Sequence, residues 1–295
     1  MRLFKCISIM VVLLVVAMGS ASAATWYVTW DGSGDAPNLQ AAIDSTALGD
    51  TVLVAPGTYT GTGNFEVDFR GKAIVVISES GASDTIIDCQ GNGRAFIFQS
   101  GEGLNSVLCG FAITNGLTSG AGGAIFCDNS SPEICYNVIY GNHAGGHGGG
   151  IAVRKASPVI RNNTIAHNST DRQGGGITFQ SKSMPTISCN IIAFATLGEG
   201  VVCVGEPNSN PTMSCNNVFG NAGGDVLCGV DAGGNESVDP VFCGGLGSGN
   251  YYLQEDSPCQ PIAAACGVLI GALGSGCSTV PTEQSTWGAI KARFE

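Results

Sequence analysis

The sequence predicts an all-β fold, a single-stranded right-handed parallel β-helix of roughly nine coils with a short N-terminal capping helix. Three observations carry this. First, one phrase recurs at fixed period: Gly-Gly-Ala-Ile or Gly-Gly-Gly-Ile ends at Ile125, Ile151 and Ile177, and a fourth, reduced copy begins at Gly200. After each comes a proline, and Pro132, Pro158, Pro185 and Pro211 step by 26, 27 and 26 residues. Second, Asn137, Asn163, Asn190 and Asn216 step identically, and Asn142, Asn168 and Asn221 occupy another fixed place with Ala195 as the gap. Stacked at about 4.8 Å, such amides can hydrogen-bond along the stack as a ladder and hold a turn without a long loop. Third, Ile151, Val153, Ile160 and Ile165 are apolar with polar or small residues between them. That alternation is the period of short strands, and glycine, proline and asparagine interrupt every run too early for a helix.

The repeated phrase Gly-Gly-Gly-Ile, then Ser-Pro-x-Ile-x-x-Asn-x-Ile-x-x-Asn, resembles the parallel β-helix repeats of the pectate-lyase superfamily and of polymorphic outer-membrane and surface proteins. Gly49 to Tyr59 is similar to the opening coil of those proteins, Gly110 to Gly116 to an early coil, and Asp239 to Phe242 with Ser257 to Cys259 to the last coils. The resemblance spans nearly all of the chain after its leader. It implies a fold that hosts many activities, so activity has to be argued from a site.

In chain order, residues 1–23 read as a secretory signal peptide: Arg2 and Lys5 precede an apolar run from Ile7 to Ala17, and Ala21-Ser22-Ala23 fits a cleavage site. Cys6 lies ahead of that run, so it is not placed for lipidation at the cut. Trp26 to Trp30 reads as an edge strand. Leu39, Ala42, Ile43 and Ala47 then recur at helical spacing between Pro37 and Gly49, and a short helix there would cover the open end of the apolar core. Residues 24–277 form the β-helix domain, about 40 Å of stack at one strand spacing per coil. Residues 278–295 form a tail: a polar stretch around Pro281, then Trp287, Ile290 and Phe294 on one helical face. The tail resembles short carboxyl-terminal tails with a Trp-Gly-x-Ile-Lys core on exported bacterial β-helix proteins, and it is expected either to sort or anchor the protein or to dock as an end cap.

Without the leader, ten basic residues face 23 acidic ones, a net charge of −13. That argues against a nucleic-acid partner and against a polybasic membrane contact. The expected location is extracellular or at the cell surface, with no transmembrane segment in the mature chain. Twelve of the 13 cysteines remain after export. The repeat alignment sets Cys109 over Cys135, Cys189 over Cys215 and Cys203 near Cys228, at separations a disulfide can span. Buried free thiols are the alternative. Cys243, Cys259, Cys266 and Cys277 are expected to form two more bridges of open pairing. No Cys-x-x-Cys pair suggests zinc.

Recognisable catalytic sets are scarce. Glycoside hydrolysis needs two carboxyl groups about 5 to 9.5 Å apart, and no Asp-Asp pair occurs. Gly146-His147-Gly148 matches a polygalacturonase tripeptide, but the other motifs of those enzymes are absent. A calcium-dependent pectate lyase would bring clustered acidic ligands and an arginine base, whereas Asp84 and Asp88 lack a matched third ligand. No cofactor is therefore expected, with Ca2+ entering only if the protein is a lyase. Two features stand out. Arg154, Lys155, Arg161, Arg172 and Lys182 are half of the basic residues after the leader and fall in two adjacent coils. Arg154, Arg161 and Lys182 are candidates to meet an acidic polysaccharide, although alternation sends Arg154 and Arg161 to different faces. The other feature is the loop column between each ladder asparagine and the next glycine run. It holds His143 and His147, then Asp171 and Arg172, then Glu199, then Asp225. Stacking brings these loops side by side, so imidazole, carboxylate and guanidinium can converge there; a plain hydrophilic ridge is the alternative. Two functional classes remain open: an exported solenoid that binds glycans or surfaces without catalysis, and a polysaccharide lyase or glycoside hydrolase of pectate-lyase type.

Overall fold

The computed structural model describes residues 22–205, 209–244, 249–277 and 284–294. The expected leader lies outside these residues except for Ser22 and Ala23, and so do Cys6 and Pro281. The chain winds as a parallel β-helix with three faces. Face one has nine strands, from Thr25–Val28 through Glu133–Cys135 to Val230–Asp231; face two has seven, from Gly57–Tyr59 to Asn217–Phe219; face three has six, from Val67–Asp68 to Val201–Val204. Six turns carry a strand on every face and a seventh on two. The difference from roughly nine coils arises at the end: beyond Val230–Asp231 the chain leaves the stack.

The core follows from registry. Each inward position lies over its equivalent in the next coil, so Val52, Val76, Leu108, Ile134, Ile160, Ile187 and Met213 form one column with no solvent exposure. Tyr59, Ile87, Ile113, Ile139, Ile165, Ile192 and Val218 form the matching column on face two. Helix α1 (Leu39–Ser45) covers the lower end with Leu39, Ala42 and Ile43 buried. Its N-cap is Asn38, whose side chain accepts from the Ala41 N–H at 2.9 Å, and it stops at Thr46, so Ala47 lies beyond it.

Both asparagine columns are ladders. The Asn163 side chain accepts from the Asn137 backbone at 2.9 Å and donates to the Asn190 side chain at 3.0 Å, and the bonds repeat up the stack. In the second column the Ala195 N–H donates to Asn221 at 2.9 Å, so the upper rung still accepts from the coil below although Ala195 carries no amide of its own. Asn235 adds a rung above Asn216 that the 26-residue period does not point to, since it comes only 19 residues later. The residue before each rung takes a left-handed conformation, with φ of +53° at Tyr136, +51° at Asn162 and +56° at Cys189 and Cys215. Side chains seldom sit there, and the buried amide that follows fixes the sharp corner.

Those corners correct the cysteine pairing. Cys189 and Cys215 are not joined, because both occupy corners that project from the stack. Cys215 bonds Cys266 of the returning C-terminal segment, and Cys189 is a free thiol. Cys109 and Cys135 are also free: their sulfurs lie 2.8 Å apart as two buried thiols. Cys203 is bonded to Cys228 and Cys243 to Cys277, while Cys259 stays free with Asn217 donating to its sulfur at 3.2 Å. The described residues thus hold three bridges, from Cys203, Cys215 and Cys243, and six free cysteines.

From about residue 239 the chain folds back down the outside of face two. The Gly271 N–H donates to the Cys189 carbonyl at 2.8 Å, and Phe242, Tyr251, Leu253 and Ile270 bury against Val138, Ala166, Ile191 and Ala193. Helix α2 (Gln284–Lys291) then docks on the outside of face one, not on an end of the stack, which corrects the end-cap expectation. Its Trp287 N–H donates to the Glu79 carbonyl at 3.0 Å, and Trp287, Ile290 and Phe294 cover Ile77, Val107, Cys109 and Cys135. The indole lies against Gly110, where a Cβ would come within 2.1 Å of it. Only glycine leaves that slot open, and its φ of +86° suits glycine as well.

Candidate functional site

The loop column forms beside a short three-stranded sheet, Leu117–Thr118, His143–Ala144 and Ser169–Thr170, whose register sets His143 directly against Ser169. Ala144 and Thr170 point into the stack, so His143 and Ser169 point out. The His143 Nδ1 and the Ser169 hydroxyl are 2.9 Å apart, and its Nε2 is 3.5 Å from Asp171 Oδ1. Later in the same coil, the Gly-rich run leaves His147 half-buried. Its Nδ1 is buried without a partner. Burial, and next the Arg172 guanidinium, hold His147 below its ordinary pKa, against the opposing influence of the Gln173 carbonyl and Glu199. Glu199 accepts from the Gly174 N–H at 2.9 Å. Asp225 accepts from the Gly220 N–H at 2.8 Å and from the Asn221 side chain at 2.7 Å, ending the second ladder. The column therefore brings His143, Ser169 and Asp171 into contact and sets His147 near Arg172, while Glu199 and Asp225 brace the backbone.

The basic candidates separate. Arg154 on face three grips Asp128 through two nitrogens, at 2.9 and 2.7 Å, and its guanidinium lies over the Phe126 ring. Arg161 on face one is paired with Glu133 and lies over Tyr136. Lys182 is exposed at a corner with φ of +67°. These charges do not form one patch.

A family model described as a right-handed β-helix region matches residues 69–239. The chain belongs to this β-helix family. A search of curated proteins finds no match. Among solved structures, the crystal structure of pectate lyase Pel9A is similar at 14% sequence identity and a TM-score of 0.37, covering 87% of this chain and 97% of that one.

Membership of the β-helix family accounts for the coils and leaves the chemistry to the side chains. Of the two acids weighed as calcium ligands, Asp84 accepts from the Ser83 hydroxyl at 2.9 Å and Asp88 from Asn115 at 2.8 Å. Among the described residues no three His, Cys, Asp or Glu side chains gather as a metal-holding group. Nor is any helix among them long and apolar enough to cross a membrane.

One feature of this β-helix was not visible in the repeats. The returning C-terminal segment leaves a trench along its seam with the stack, made of two cavities of about 310 and 750 Å³ that share Ala82, Ser83, Tyr252 and Leu273. Four of the six tyrosines, Tyr136, Tyr140, Tyr251 and Tyr252, and one of three tryptophans, Trp287, line it. Its signal in the sequence was weak, since Tyr136 and Tyr140 sit in one coil and their partners lie more than a hundred residues away.

The same seam buries His167. Its Nδ1 is 3.1 Å from the Tyr251 hydroxyl, its Nε2 is buried without a partner, and Phe194 and Tyr251 stack on the ring. Burial lowers its pKa, so the folded seam holds the neutral ring. With the folded value below the unfolded one of about 6.5, this contribution is whole above that pH and is lost as pH falls toward the folded value. Between pH 7 and 5 the melting temperature is expected to fall, with faster amide exchange across residues 249–277. His167→Phe is expected to flatten that dependence; an equally steep fall in the variant would refute the assignment.

Proposed function

We propose that the protein is an exported β-helix that holds a polysaccharide or another surface glycan against its side without cleaving it. The observation that carries this is how the carboxylates of the loop column and its neighbouring strands are used. Glu199 and Asp225 brace backbone N–H groups, and Asp128 and Glu133 are paired with Arg154 and Arg161. A glycosidic bond needs one acid to protonate it and a second carboxylate opposite, and side chains already held in structural bonds are poorly placed for either role. What faces outward is a set of hydrogen-bonding groups on two adjacent coils, His143 on one and Ser169, Asp171 and Arg172 on the next, one strand spacing apart, which can meet neighbouring hydroxyls of a glycan. Export is supported by the leader-like start of the chain and by bridges such as Cys203–Cys228, which persist in oxidising compartments.

A lyase or hydrolase of pectate-lyase type is the second reading, and the contact of His143 with Asp171 favours it. Release of reducing ends and of unsaturated products, with and without calcium, on neutral and uronic-acid polysaccharides separates the two. Retention on an immobilised glycan with no product is expected. Product that disappears in a His147→Ala, Asp171→Ala double variant would overturn the binding reading and place the chemistry in the loop column.

A further inference from the structure

We propose that the trench between the stack and the returning C-terminal segment is the binding site for a neutral oligosaccharide; this deepens the glycan-binding reading and rests on it. The first argument is shape. Two adjoining cavities of about 310 and 750 Å³ make an elongated site, and each lies in the range of small-molecule pockets, about 300 to 1,000 Å³. The second is composition. Aromatic rings give an apolar surface for the C–H face of a sugar, with polar groups at hand for its hydroxyls, and this chain has few aromatic residues to distribute. Three tyrosines with part of the ring accessible, Tyr136, Tyr140 and Tyr252, nevertheless meet here, drawn from one coil of the stack and from a segment folded back from the far end, with the buried Tyr251 behind them.

The third argument is charge. Glu79 and Asp84 line the larger cavity, and no lysine or arginine does. A uronic acid, sulfate or phosphate would face these two carboxylates, while Arg161, over the Tyr136 ring, is already paired with Glu133 and Arg293 acts on the same phenol; sugar hydroxyls can donate to the carboxylates in charge-assisted bonds. Glu79 is oriented by the Tyr27 hydroxyl, from which it accepts at 2.8 Å, and Asp84 accepts from its neighbour Ser83 at the rim at 2.9 Å. The fourth argument is preorganisation. Trp287 is held by its N–H bond to the Glu79 carbonyl and by the glycine slot at Gly110, so its ring need not be ordered on binding.

Calorimetric titration of the mature chain with cellohexaose, xylohexaose, mannohexaose and hexagalacturonate tests this. At least one neutral oligosaccharide is expected to bind, with hexagalacturonate at least about tenfold weaker. Tyr252→Ala is expected to weaken neutral binding by roughly tenfold or more. Because Tyr252 lies in the returning segment and its loss can disturb docking, Ser83→Trp is the second variant: Ser83 is exposed, so the indole fills the trench from its rim without touching the core. Loss of binding in Ser83→Trp with an unchanged melting temperature supports the site. Unchanged affinity in that variant, or equal binding of hexagalacturonate, overturns the site and leaves glycan binding elsewhere on the stack intact. Binding of no glycan, acidic or neutral, overturns the site and the glycan-binding reading together.

Discussion

Replacing Asn163 by alanine is expected to destabilise the protein by roughly 3–5 kcal/mol, more than any substitution at an exposed corner. The Asn163 side chain is wholly buried and serves three coils. It accepts from the Asn137 backbone and side chain at 2.9 and 3.1 Å, and donates to the Ile134 carbonyl at 2.9 Å, the Arg161 carbonyl at 3.1 Å and the Asn190 side chain at 3.0 Å. Alanine removes these bonds and leaves the Asn137 N–H and the Ile134 carbonyl buried with too few partners, each costing about 1–3 kcal/mol. It also frees the strained corner at Asn162. The midpoint of urea unfolding, followed by circular dichroism, reads the loss, with Lys182→Ala as a control expected within about 0.5 kcal/mol of the parent. Because a solenoid is held by nearest-neighbour contacts, the variant is also expected to split the transition at this rung. A midpoint equal to that of the control would mean that water can take the place of the ladder amide.

Phe96→Ala is expected to cost a similar amount, about 3–5 kcal/mol, through a different mechanism. Phe96 has no solvent exposure and meets Phe69 edge-on at 6.5 Å and Phe111 at 6.2 Å. These rings share one core with Leu39 and Ile43 of α1 and with the isoleucine columns. Truncation leaves a cavity that strand registry keeps from collapsing, since the strand of Phe96 is paired with those of Val67 below and Ile125 above. A fall in melting temperature on the order of 10 °C is expected by calorimetry, with Phe96→Leu losing much less because most of the volume is kept. If Phe96→Ala melted with Phe96→Leu, the lower interior would have to be adaptable, unlike the columns above it.

The coils were legible because repetition multiplies a weak local signal. One Ser-Pro-x-Ile phrase says little; four at steps of 26 and 27 residues define a stack, and the buried asparagines follow. Asn235 escaped because its coil is shorter. The loop column was legible as a neighbourhood, since register alone brings His143 to Ser169 and Asp171. It was not legible which acids would brace the backbone, because that depends on which glycine N–H each side chain reaches. The cysteines show the limit clearly. Equal spacing suggested that Cys189 lies over Cys215, but the direction of a corner side chain decides pairing, and at Cys215 it points to Cys266.

The sequence by itself determined a parallel β-helix, its ladders, its apolar columns and the helix that covers its first coil, because all of these depend on local periodicity repeated in register. Only the tertiary structure decided what lies on the outside. The return of residues 239–244 and 249–277 along face two, the docking of α2 on face one and the trench between them join positions up to 208 residues apart, as Trp287 is from Glu79. Such contacts carry no period. They arise where exposed apolar side chains on two distant segments bury one another, and the energy of that burial depends on the shape of the finished stack.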